Sequence, residues 1–175
     1  INDPINVSFS GTSGTAGDLT LEAGRSILIN ANINTDGGSF IATANSGAAS
    51  GTVDSYRDTG SAVITMADTV SINTTGTTDG SIQLTISDGA GLTNSATGLL
   101  TVENLTAGTG NITLTSINGA LSFTGTTVQA GTLTLSSPSV LGSLGTPVAT
   151  AANTIVLSNL GGAAYISNTS TDLSL

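Results

Sequence analysis

The sequence predicts an all-β chain folded as a parallel β-helix (β-solenoid) of about eight coils, each of about 21 residues. Three observations carry that expectation: a Gly-led strand motif that recurs at nearly constant spacing, period-2 alternation within each motif, and a composition with almost no helix-forming stretch. The motif is Gly, small polar, apolar, any, apolar. It begins at Gly17, Gly38, Gly60, Gly80, Gly110 and Gly131, and the successive differences are 21, 22, 20, 30 and 21. The single long spacing places about nine inserted residues near 87–98, as an enlarged loop on an otherwise uniform segment spanning 1–175.

The first strand of each unit follows from alternation, as in Gly17-Asp-Leu-Thr-Leu21 and Gly131-Thr-Leu-Thr-Leu135. A second alternating pair follows within several units. Ile27 and Ile29 come 10 and 12 residues after Gly17, Val70 and Ile72 the same distances after Gly60, and Leu121 and Phe123 at 11 and 13 after Gly110. One face then carries Leu19, Leu21, Ile27, Ile29 and Ile33, and the other Asp18, Thr20, Leu28, Asn30 and Asn32. On this phase Leu21, Ile29, Ile72, Leu84, Leu114 and Leu135 face the interior. Breaks such as Asp36-Gly37-Gly38 and Asp79-Gly80 supply turns. A 21-residue unit cannot bury its own apolar row, so units must stack, and parallel stacking satisfies the backbone while aligning equivalent side chains. The rival is an antiparallel sandwich. It fits poorly, because the strands repeat in sets and the core is aliphatic, with three Phe and two Tyr.

Composition narrows function. Charged residues make up 7% of the 175, with Arg25 and Arg57 the only cations and a formal charge of −9. Such a chain has no basic stripe for phosphates, which argues against nucleic acid and against anionic membrane surfaces. It contains no apolar run long enough for a membrane span and no signal-like start, so membrane insertion is not expected. Cysteine and histidine are absent, removing disulfides and the commonest acid–base group. Hydrophobic content of 38% still suffices for a folded core rather than a disordered linker.

The run Gly17-Asp-Leu-Thr-Leu-Glu-Ala-Gly-Arg-Ser-Ile-Leu-Ile-Asn-Ala-Asn-Ile-Asn-Thr-Asp-Gly-Gly38, echoed at Gly110–Ser116 and Gly131–Ser136, resembles the repeats of filamentous-haemagglutinin-type, two-partner-secretion exoproteins. The resemblance covers about 17–136. It implies a right-handed β-helix, secreted to the bacterial cell surface, acting as a structural or adhesive body. The chain departs from that family in lacking its amino-terminal secretion module, with no Asn-Pro-Asn signature. The implied partners are neighbouring coils of a longer chain, identical subunits stacked head to tail, and surface glycans or proteins. Stacking is also what the alternating ends, Ile5–Phe9 and Asp172–Leu175, suggest.

The alternative is a carbohydrate-active β-helix that binds or cleaves polysaccharide. Cleavage needs converging carboxylates or a basic residue beside a carboxylate cluster. Asp54, Tyr56, Arg57 and Asp58 form the one local group with both signs, and Tyr56 could stack on a sugar. A solvated outer loop with an incidental ion pair explains the same residues, so no catalytic residue and no cofactor is assigned. Asp36, Asp58 and Asp79 precede motif glycines by two, two and one residues, and stacking would line them along one edge where calcium could bridge them. Plain turns explain them as well, and no metal is assigned. The remaining candidate contacts are outward apolar residues: Leu28, with Ile41 and Val63 expected at the same position in adjacent coils, joined by Tyr56 and Arg57. Outward Thr20, Thr113 and Thr134 make a hydroxyl row interrupted by Ile41, Val63 and Gln83.

Overall fold

A computed structural model describes residues 1–7, 17–47, 49, 53–125, 127–158 and 160–170. The expectations for 8–9 and 171–175 lie outside these. Fifteen strands occur among the described residues: β1 (Ile5–Asn6), β2 (Leu19–Glu22), β3 (Ile27–Ile29), β4 (Ile33–Asn34), β5 (Phe40–Ala44), β6 (Ala62–Met66), β7 (Ser71–Asn73), β8 (Ile82–Ile86), β9 (Thr97–Val102), β10 (Asn104–Thr106), β11 (Asn111–Ser116), β12 (Leu121–Phe123), β13 (Val128–Ser136), β14 (Val148–Ser158) and β15 (Ile166–Asn168). The only helical piece described is a 3₁₀ turn at Asp54–Tyr56.

Every strand pair is parallel, which excludes the antiparallel sandwich. An eleven-stranded curled sheet runs β1-β4-β7-β10-β13-β11-β8-β5-β2, with β14 and β15 continuing from β13. The long β13 belongs to two rows of strands at once: Val128 and Gln129 pair with β10, while Thr132–Ser136 pair with β11. A separate four-stranded sheet runs β12-β9-β6-β3.

Like stacks on like in the interior. One column reads Phe40, Ile82, Ile112, Leu133, Ile155 and the next Ala42, Leu84, Leu114, Leu135. The facing sheet contributes Ile27, Ile64, Leu100, Leu121, and a third side Ile33, Ile72, Leu105, Val128. Of the six residues expected inside, Ile29, Ile72, Leu84, Leu114 and Leu135 have no exposed surface. Leu21 lies in the same column, opposite Ala42, and is half-buried in the first row.

The motif glycines Gly38, Gly80 and Gly110 mark a shared corner. A Cβ on Gly80 would overlap the Gly38 carbonyl, and one on Gly110 the Gly80 carbonyl, so the stacked backbones leave no room for a side chain. Buried Thr74 fastens the same corner by donating its hydroxyl to the Gly80 carbonyl at 2.9 Å.

Gly60 does not belong to that corner. Its strand β6 pairs with β3 and β9 in the four-stranded sheet, and β5 pairs directly with β8. Paired residues along this side are therefore Leu19, Phe40, Ile82, Ile112, Leu133 and Ile155, separated by 21, 42, 30, 21 and 22 positions. The extra length sits at one place. Five positions separate Ser116 from Leu121, but 14 separate their partners Ile86 and Leu100, and 20 separate Ala44 from Ile64. Two adjacent rows thus carry insertions at the same corner, the second where the sequence placed it.

Candidate functional site

The two insertions, 45–61 and 87–96, are held to each other by polar side chains. Arg57 lies at the centre and is buried, 8% exposed. Its Nε donates to the Thr93 carbonyl at 2.7 Å and its Nη2 to Asn45 Oδ1. The Asn45 amide in turn donates to the Ser87 and Ser95 carbonyls, both at 2.9 Å, and Asn94 Nδ2 donates to the Arg57 carbonyl at 2.7 Å. Asn45 and Asn94 take φ of 58° and 53°, a left-handed conformation that asparagine tolerates better than most residues. The planar guanidinium suits this task because its fixed donors reach two separated acceptors at once.

Asp54 clamps the outer side. It accepts from both the amide and the hydroxyl of Thr93, each at 2.5 Å. Those two bonds, the hydroxyl's first, hold its carboxyl below the usual carboxylate range, and the Arg57 charge adds to them. The other cation performs a parallel role: Arg25 Nη2 donates to the Thr59 carbonyl. Both cations of the chain therefore fasten the inserted corner.

This corrects the expectation for Arg57, which is an internal bracket instead of a surface contact. Only pairing two loops 36 residues apart could reveal that. Tyr56, in the adjoining 3₁₀ turn, remains 83% exposed, with Val53 at 48% beside it and Asp58 also exposed. The corner thus presents an aromatic ring on a backbone whose neighbours on both sides are tied down.

The apolar patch expected from Leu28, Ile41 and Val63 is divided between two sheets. Ile41 opposes Thr20 and Gln83 on the long sheet. Leu28, half exposed, opposes Thr65 on the four-stranded sheet, and Val63 lies two residues before Thr65 on that strand. The error follows from Gly60, whose motif begins a different side of the fold. The outward row is Thr20, Ile41, Gln83, Thr113, Thr134, Val156, so Ile41 and Gln83 interrupt it, Val156 ends it and Val63 lies outside it.

The three aspartates also separate. Asp36 and Asp79 occupy the glycine corner in successive rows, while Asp58 is in the inserted corner. Asp79 joins rows by accepting from the Thr109 amide at 2.8 Å, the Thr109 hydroxyl at 2.9 Å and the Gly76 amide at 3.1 Å. The Thr109 amide leads in holding its carboxyl below the usual range. Among the described residues no group of three His, Cys, Asp or Glu gathers to hold a metal ion, and no helix is long and apolar enough to cross a membrane.

No family model, curated protein or solved structure matches this chain.

Proposed function

We propose that this chain is a segment of right-handed parallel β-helix that works as an extracellular structural and adhesive rod on a bacterial surface. The observation carrying this reading is the in-register stacking of like residues through six successive rows, from Leu19 to Ile155, with two insertions clamped at one corner. The Gly60 motif starts no new row, so a row can hold more than the roughly 21 residues expected. Repetition of one apolar set supplies stiffness, and insertions are where such a rod can vary without disturbing its stack.

On this reading the contact face is the corner bearing Tyr56, and a surface glycan is the partner its chemistry favours. An exposed aromatic ring stacks on sugar rings, and a tied-down loop loses little conformational freedom on binding. Binding to an array of surface polysaccharides, compared between the parent and Tyr56→Ala, tests it. Retention by the parent and loss in the variant is the expected result. Equal binding by both would remove Tyr56 from the contact, and release of cleaved oligosaccharide would favour the carbohydrate-active alternative.

A further inference from the structure

The four-stranded sheet stops one row before its neighbour. On the long sheet β13 is followed by β14, whereas β12 pairs with β9 alone. In a parallel ladder, alternate residues of a strand bond to opposite sides. The register sets Leu121 against Leu100, with the Leu100 amide donating to the Ala120 carbonyl and the Thr124 amide to the Val102 carbonyl, both at 2.9 Å. Ser122 therefore faces β9 with both its backbone groups. The N–H and C=O of Leu121 and of Phe123 point the other way, and no hydrogen bond among the described residues reaches them.

The chain that would cover this edge is diverted. Leu141 bridges to Ala164, and Ser143 and Thr146 exchange backbone bonds at 3.0 and 3.2 Å in a tight turn. What remains is a groove of about 420 Å³ between β12, continued by Thr124 and Gly125, and a lip formed by Gly142, Thr146, Pro147 and Val148. Its volume lies in the range of ligand clefts. None of its lining residues is charged.

We propose that this groove binds an extended peptide of another polypeptide, which adds to β12 as the next parallel strand. The groove is continuous with the β9–β12 interface and makes the same demands. Its inward columns are Ile27, Ile64, Leu100, Leu121 and Ile29, Met66, Val102, Phe123, with Leu28, Thr65, Thr101 and Ser122 outward between them. The strand that continues both columns is aliphatic, small polar, aliphatic. Its backbone answers the four free groups, and its lack of charge suits the neutral walls.

A fluorescent peptide copying residues 97–102, flanked by lysines for solubility, serves as the probe. Saturable one-to-one binding by polarisation is expected. Amide exchange should show Leu121 and Phe123 fast in the free protein and slow with peptide, while Ser122 and Thr124 are slow throughout. N-methylating alternate peptide amides should weaken binding at least about tenfold. Pro147→Trp, which plugs the lip, should abolish binding with an unchanged circular dichroism spectrum, and Thr146→Trp replaces it if that variant does not fold. The proposal is overturned by no binding at about millimolar peptide, by undiminished binding to the plugged protein or of the N-methylated peptide, or by Leu121 and Phe123 amides already slow without peptide.

Discussion

The rows around β11 and β13 and the corner formed by 45–61 and 87–96 solve the same problem by different means. In the first, about 21 residues complete a row, and cohesion comes from stacked aliphatic side chains and an unbroken backbone ladder. In the second, the described residues of two long excursions form no ladder of their own, and side-chain donors substitute: Arg57, Asn45 and Asn94 satisfy carbonyls, while Asp54 satisfies Thr93. Apolar columns leave little room for a charged residue, although one of them, Ala44, Ile86 and Ser116, does carry a buried hydroxyl. Polar brackets tolerate length, provided a few named groups remain. The chain's scarce cations are concentrated where length was added.

That contrast predicts a steep difference in mutational cost. Leu84 is fully buried between Ala42 and Leu114, and losing a buried leucine's bulk alone costs roughly 2–5 kcal/mol. Leu84→Asp adds an unpaired charge, so the protein should lose its β-sheet circular dichroism signal altogether. Thr20→Asp, on an exposed outward position, should melt like the parent. A folded Leu84→Asp protein would break the column account. Next in size is Gly80→Ala, which drives a methyl into the Gly38 carbonyl and should lower stability by roughly 1–3 kcal/mol in denaturant titration.

Those columns were legible in the sequence because alternation and stacking impose the same residue type at each repeat, as Leu84, Leu114 and Leu135 show. The insertion at 87–96 was legible as well, since nine surplus residues broke a regular spacing. The larger insertion was hidden by arithmetic. The 42 positions from Phe40 to Ile82 equal two ordinary units, and Gly60-Ser-Ala-Val-Ile64 imitates a unit start at the midpoint. Both sides of the fold need a small residue, a turn and an alternating strand, so the motif marks a strand start without saying which side it opens. Arg57 was illegible for a different reason: its partners Thr93 and Asn94 lie in another loop, and no local pattern announces them.

The inserted corner offers smaller effects that sharpen the comparison. Arg57→Lys keeps the charge but removes the planar fork that reaches Thr93 and Asn45 together, and should cost roughly 1–3 kcal/mol locally. Proteolysis within 45–61 should accelerate while amides in β8 and β11 exchange as before. Deleting 88–96 should behave alike, because it removes two of Arg57's partners, Thr93 and Asn94, yet restores the short corner of the β11 row. Collapse of the whole fold in either variant would show the corner to be part of the core.

The smallest expected effect is acid release of the two aspartate clamps. Asp54 and Asp79 both have carboxyls held below the ordinary value of 3.8, chiefly by hydrogen bonds from Thr93 and Thr109. A depressed folded pKa means that the ionised form is favoured by folding. The contribution is therefore complete above the ordinary value and is lost as pH falls from about 3.8 through the lower folded value. Global melting is a poor gauge, since protonation also relieves mutual repulsion in a chain of formal charge −9. Local amides discriminate. The Thr93 and Thr109 amides should exchange faster in that window while Leu84 stays protected. Asp54→Asn should weaken the clamp on Thr93 at all pH values, remove its acid step and leave that of Thr109 in place. If Thr109 loosened in the same variant, the two corners would be mechanically coupled, and the division between stacked rows and bracketed insertions would have to be redrawn.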